Sequence, residues 1–157
     1  MNSVDVTVDD DPDDAPEAAA VARFADTVLQ ELGIKNWELS LTLCGDRRMK
    51  TLNREFRDRD ETTDVLSFSQ LEGDRPPPVH GTEEEHTVFA GDIVVCLPHA
   101  RRNAIQFGVD AEEEVKRLIV HGVLHLAGYE HGDNSSEQPM LREQERLVSR
   151  LTEERLT

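Results

Sequence analysis

Apolar side chains recur along this chain with two different periods, and the switches between them outline its elements. Val21, Phe24, Ala25, Val28, Leu29 and Leu32 follow the i, i+3, i+4, i+7 spacing of one helix face, and Gly33 ends the run. Trp37, Leu39, Leu41 and Leu43 then alternate with Glu38, Ser40 and Thr42, the period of a half-buried strand. Gly45-Asp46 supplies a turn and an N-cap, after which Met49, Leu52 and Phe56 mark the inner face of a second helix. Residues 63–68 (TDVLSF) and 88–97 (VFAGDIVVCL) are short, apolar and rich in β-branched residues, and read as strands. The stretch between them, residues 71–87, holds three consecutive prolines and an acidic run, the composition of a surface loop.

The second half of the chain reads as helical. Pro98 opens a helix that runs to Phe107-Gly108, and Asp110 caps a stronger one whose acidic first turn suits the positive end of the helix dipole. From Leu118 to Ala127 that helix is apolar on nearly every side, interrupted only by His121, Gly122 and His125, so it belongs in the middle of a domain. Gly128 ends it, and after a polar turn Met140, Leu147, Val148 and Leu151 line one side of a last helix. This order predicts an α+β fold: a small mixed β-sheet packed with helices, one of them central.

Composition narrows the class. A length of 157 residues is one domain, and 37% hydrophobic residues suffice for a single core. Seventeen basic against 33 acidic side chains give a net charge of −16, which argues against a generally sticky binder of nucleic acid or anionic membrane, so any polyanion site must be local. Seven acids and no base fall within residues 1–17, which read as a solvated acidic arm or edge ahead of a domain over residues 18–157. No stretch approaches the ~18–20 apolar residues a spanning helix needs, and no basic and apolar leader opens the chain. A cytoplasmic protein is expected, with Cys44 and Cys96 as buried thiols.

The segment that carries chemistry is His121-Gly-Val-Leu-His125-Leu-Ala-Gly128-Tyr-Glu-His131. Side chains at i and i+4 share a helix face, so two imidazoles can converge on one metal, and a reversal at Gly128 lets His131 return as a third ligand. Three protein ligands leave one position open, the arrangement of a catalytic zinc site rather than a closed structural one. With six His and nine Gly in the chain, composition alone would produce this pattern roughly 0.0005 times. That count favours one zinc per chain on a central, metal-binding helix over a packed core cluster. His80, His86 and His99 read as surface histidines. Gly122 costs a helix about 1 kcal/mol relative to alanine, so a close approach, such as tight helix-to-strand packing, is expected to need the missing side chain. Over residues 47–59 six bases stand against two acids, and Arg47, Arg48, Lys50, Arg54, Arg57 and Arg59 form the one basic stretch. Taken as residues alone, they are an ordinary charged helix face, with Arg57 paired to Asp58 or Asp60.

The run HGVLHLAGYEH closely resembles the H-G-x-L-H-L-x-G-Y-D-H signature of the YbeY family, single-strand-specific endoribonucleases and rRNA maturation factors of bacteria. Leu52-Asn-Arg-Glu-Phe-Arg57, Thr63-Asp-Val-Leu-Ser-Phe68 and Gly91-Asp-Ile-Val-Val-Cys96 agree as well, so the likeness spans about residues 45–135. Departures are Glu130 for aspartate, Phe56 for tyrosine and Ser69 for proline. The resemblance implies that His121, His125 and His131 are zinc ligands and that Arg57 is the family's functional arginine. It further implies single-stranded rRNA and the small ribosomal subunit as partners, 3′-end processing and ribosome quality control as roles, and no part for DNA. The other bases of residues 47–59 would follow the RNA backbone. Asp64, Asp92 and Glu130 are the candidates to receive the free ring N–H of a ligand histidine. The rival readings are a metzincin-like metallopeptidase, against which Gly122 replaces the catalytic glutamate, and a non-enzymatic zinc-stabilised ribosome-binding module.

Overall fold

A computed structural model describes residues 1–9, 15–71, 87–129 and 138–157. Four strands form one sheet in the order β1-β2-β4-β3, with β1 (Ser3–Val8), β2 (Trp37–Cys44), β3 (Val65–Ser69) and β4 (Val88–Cys96). β1 pairs parallel to β2 and β2 parallel to β4, while β3 runs antiparallel to β4, so the sheet is mixed and the fold is α+β as expected. The helices are α1 (Ala18–Glu31), α2 (Asp46–Arg57), α3 (Leu97–Phe107), α4 (Ala111–Leu126) and α5 (Pro139–Arg150).

The first strand corrects the expected acidic arm. Ser3–Val8 is an edge strand whose Val4 and Val6 pack against the core while Ser3, Asp5 and Thr7 face out. Its register aligns Val4 with Leu39 and Val6 with Leu41, and the amide of Asp9 continues the ladder onto the carbonyl of Leu43 at 2.8 Å. An edge strand needs apolar residues on one face only, so the alternation Val-Asp-Val-Thr-Val suffices, with Asp5 on the exposed face. Residues 10–14, which hold four of the seven acids, lie outside the described residues, as do residues 72–86 of the expected loop with His80 and His86.

Alternation along the strands divides the core between the two sheet faces. Leu39, Leu41 and Leu43 of β2 and Ile93 and Val95 of β4 point to one face, under α1 and α4, and α5 adds Met140, Leu147 and Val148. Cys44, Leu66, Val94 and Cys96 point to the other, where Met49 and Leu52 of α2 cover them. Cys44 and Cys96 are register partners, buried and unlinked. α4 is central as predicted: it packs on β3, β4, α1, α3 and α5.

Three local expectations change. Asn53, only 2% exposed, takes the inward place on α2 expected for Phe56, because it lies one helical turn from Met49. Its Nδ2 donates to the carbonyl of Glu61 at 2.8 Å, tying down the turn that follows the helix. Phe56 is 62% exposed and meets the ring of Phe68 edge-on at 5.1 Å. Neither expected aspartate cap forms a side-chain capping bond. Asp46 instead accepts two hydrogen bonds from the Arg102 guanidinium at 2.8 and 3.1 Å, one from the Cys96 thiol and one from Thr62. The Arg102 guanidinium, helped by Cys96 and Thr62, holds its carboxyl down at about 2 against the opposing pull of burial. His99, expected at the surface, is half-buried, and its Nδ1 has no hydrogen-bond partner among the described residues.

Candidate metal centre and basic helix

Two glycines let the strands and α4 come close enough to form the site. A β-carbon on Gly122 would lie 2.8 Å from Cγ2 of Ile93, so the absent side chain is what allows α4 to press onto β4. A β-carbon on Gly91 would lie 2.2 Å from the carbonyl oxygen of Phe68, and its φ of +147° is one that side chains rarely adopt. Gly91 sits at the one register shift between β2 and β4, and Leu126 of α4 comes within 3.1 Å of the same point. The end of α4 is thereby seated over the β3–β4 pair.

His121 and His125 lie one turn apart there, with their Nε2 atoms 3.1 Å from each other and rings crossed at 77°. Two nitrogens each bound at ~2.0–2.1 Å to a tetrahedral ion stand about 3.3–3.4 Å apart, so this pair fits two corners of a zinc site with little adjustment. The amide of Tyr129 closes onto the carbonyl of Leu124 at 2.9 Å and Gly128 takes a φ of +98°, ending the helix where the sequence predicts. His131 and Glu130 lie outside the described residues. Among those described, no group of three or more potential ligands is assembled.

One partner of His121 is a residue the sequence reading missed. Its Nδ1 lies 2.7 Å from Oε1 of Gln144 on α5. Gln144 is buried on the inward side of α5 with Met140, Leu147 and Val148. A glutamine on an otherwise apolar stripe was the available signal, since a buried amide needs partners. Behind it, Gln144 Nε2 donates to Glu145 at 3.1 Å, and Arg117 donates to Glu145 at 2.7 and 2.9 Å and to Glu113 and Glu114 at 3.1 Å each. Burial pushes the Glu145 carboxyl up, but the hydrogen bonds from Arg117 and Gln144 outweigh it and hold the group below its ordinary range. Burial raises Glu114, only partly offset by Arg117 and Asn103.

Of the candidates named for the ring N–H, neither Asp64 nor Asp92 holds this position. Asp64 accepts a hydrogen bond from Asn103 at 3.0 Å. Asp92 shares its strand face with Val94 and Cys96, away from α4.

The basic stretch forms the outer side and end of α2, and Arg47, Arg48, Lys50, Arg54, Arg57 and Arg59 are all exposed. Arg48 pairs with Asp9 at 3.2 Å, Arg54 with Asp60 and Arg59 with Glu61, both at 3.6 Å. Arg57 does not make the pairing expected of it with Asp58 or Asp60. Arg47, Lys50 and Arg57 form no ion pair among the described residues. α2 also lies across the sheet from α4 rather than directly beside it, and no hydrogen bond or ion pair among the described residues joins Arg57 to either histidine. The two regions approach each other around β3: Phe68 holds Phe56 with its ring and lies against Gly91 with its carbonyl.

Fold and site together define a small α+β protein with a paired-histidine helix laid across a mixed sheet and a basic helix on the far face. The model for Endoribonuclease YbeY matches residues 7–152, and the chain belongs to that family. It is 47% identical over 148 residues to an Endoribonuclease YbeY of Treponema denticola, covering 94% of this chain and 92% of that one. A Treponema pallidum protein with the same description is 41% identical, covering 85% and 81%. The solution structure of TM1509 from Thermotoga maritima has the same fold, with a TM-score of 0.61 at 24% identity over 96% of this chain and 90% of that one.

Proposed function

We propose that this chain is a zinc-dependent endoribonuclease that cuts single-stranded rRNA, acting in the cytoplasm on small-subunit 3′-end processing and ribosome quality control, and not on DNA. The observation that carries this reading is the pair of Nε2 atoms converging 3.1 Å apart in a chain of the YbeY family. His121, His125 and, by sequence pattern, His131 would hold one zinc ion, and an ion held there supplies Lewis acidity at a phosphoryl oxygen.

The chain's own side chains supply the rest. Oε1 of Gln144 lies 2.7 Å from Nδ1 of His121, whose other ring nitrogen lies 3.1 Å from Nε2 of His125. Arg57 offers a planar fork of donors for a phosphate and for the charge that builds on it during cleavage. Arg47, Arg48, Lys50, Arg54 and Arg59 give a −16 chain a local cluster of exposed bases along which an RNA backbone can lie.

The crowding at Gly122 weighs against the peptidase alternative. A glutamate there would begin with a β-carbon 2.8 Å from Cγ2 of Ile93, so it could not be placed without shifting Ile93 or moving α4 off β4. Purified protein should cut single-stranded rRNA when zinc is supplied and stop when it is chelated. Arg57→Lys should slow cleavage while zinc content and melting temperature stay at wild-type values. Zinc-loaded protein that binds rRNA and leaves it whole would replace the enzyme with the ribosome-binding module, and cleavage unchanged in Arg57→Ala would return Arg57 to the solvent-exposed surface.

A further inference from the structure

The polar chain behind His121 decides which of its ring nitrogens carries the hydrogen. Arg117 is a guanidinium at any working pH and donates to both oxygens of Glu145, so that carboxylate is held ionised and can only accept. Glu145 in turn orients the Gln144 amide. With Nε2 3.1 Å from Glu145 the amide donates; turned over, it would set an oxygen against an oxygen. Oε1 is therefore the atom that faces His121 at 2.7 Å, and a carbonyl oxygen can only accept. The hydrogen of a neutral His121 ring must then sit on Nδ1, which leaves the lone pair on Nε2, the atom that faces His125.

We propose that Gln144 is a positioning residue for the candidate metal centre: held by Glu145 and Arg117, it locks His121 as the tautomer whose Nε2 is ready to ligate. This rests on the zinc reading given above. Gln144 is 7% exposed on a helix that is otherwise anchored by apolar contacts, and Glu145 belongs to the same turn. Arg117 belongs to α4 itself, one turn before His121, so the chain of bonds leaves the metal-site helix, crosses to α5 and returns. Sliding or rotating α5 against α4 would break it at both ends.

The test is zinc affinity, measured by competition with a chromophoric chelator, together with 15N chemical shifts of the His121 ring in metal-free protein. Gln144→Leu keeps the volume and suits its apolar neighbours, so its melting temperature should match wild type. Zinc affinity should fall about 10–100-fold, the usual cost of losing an outer partner of a ligating histidine. The wild-type ring should show one tautomer with hydrogen on Nδ1, and the variant a mixture. Glu145→Ala frees the amide to turn over and should move both readouts in the same direction by less, which keeps the proposal testable if Gln144→Leu folds poorly. Glu143→Ala, which removes the adjacent carboxylate that pairs with Arg146 instead, should move neither. Wild-type zinc affinity and an unchanged tautomer in Gln144→Leu and Glu145→Ala would overturn the proposal. A wild-type chain that takes up no zinc at all would overturn the functional reading instead, and this proposal with it.

Discussion

α4 and α2 flank the same sheet and are built by opposite rules. On α4 the histidines are half-enclosed and braced: each turn of the helix is packed, and His121 is tied through Gln144 and Glu145 to Arg117. On α2 the bases project into solvent, three of them paired at 3.2–3.6 Å with acids that are themselves about half exposed or more. Such exposed pairs contribute about 0–1 kcal/mol and reorganise readily. A metal site demands atoms placed to fractions of an ångström, which only a packed and fully bonded setting provides. A surface that follows a polyanion needs charge density and adaptable side chains, and rigid placement would add little. Variants should therefore fail abruptly on α4 and gradually on α2.

The largest effect is expected for His125→Ala. On the zinc reading proposed above it removes a ligand, so zinc retention after dialysis and RNA cleavage should both fall by more than the ~10–100-fold that loss of an outer partner costs. Full zinc occupancy after this change would end the contrast between the two helices. Next comes the packing that seats α4. Gly122→Val should cost about 1–3 kcal/mol, read in urea unfolding, because the new side chain overlaps Ile93. Combining it with Ile93→Ala should cost less than the sum of the separate changes by at least ~0.5 kcal/mol; strict additivity would mean the helix and strand do not meet there.

Neutralising Arg47, Arg48 and Lys50 together sharpens the other half of the comparison. RNA affinity should drop and the salt dependence of binding should flatten by roughly 2 in log–log slope, at ~0.7 per lost phosphate contact, while the cleavage rate of bound RNA holds. A collapse of that rate would mean the basic helix is as exacting as α4.

The smallest effect belongs to the pair formed by Asp46 at the start of α2 and Arg102 of α3. Folding lowers the Asp46 carboxyl from 3.8 to about 2, so its contribution to stability is complete above pH ~4 and is lost as pH falls toward 2. Arg102→Met should remove that part of the acid dependence. Both side chains are about half exposed, at 51% and 46%, so the effect should stay under ~1 kcal/mol. Identical acid unfolding in the two proteins would mean the pair adds nothing.

Local pattern carried a large share of this molecule. Period-3.6 runs located α1 and α5 and alternation located β2, short β-branched runs located β3 and β4, and the end signals at Pro98, Gly108, Asp110 and Gly128 located α3 and α4. The four-residue interval between His121 and His125 carried their meeting, because helix geometry alone brings such side chains together. β1 was hidden for a local reason: its three valines are outnumbered by neighbouring acids, and an edge strand buries too little to dominate its own composition. What only tertiary structure decided are the contacts between elements far apart in sequence. Nothing near residue 46 announces that its aspartate will serve Arg102 rather than a helix end, and nothing near residue 121 announces Gln144. The sheet order set α2 across from α4 and brought their ends together around β3. Those outcomes depend on which surfaces meet once the chain has closed on itself, and a contact across 23 or 56 residues leaves only a faint mark in local sequence.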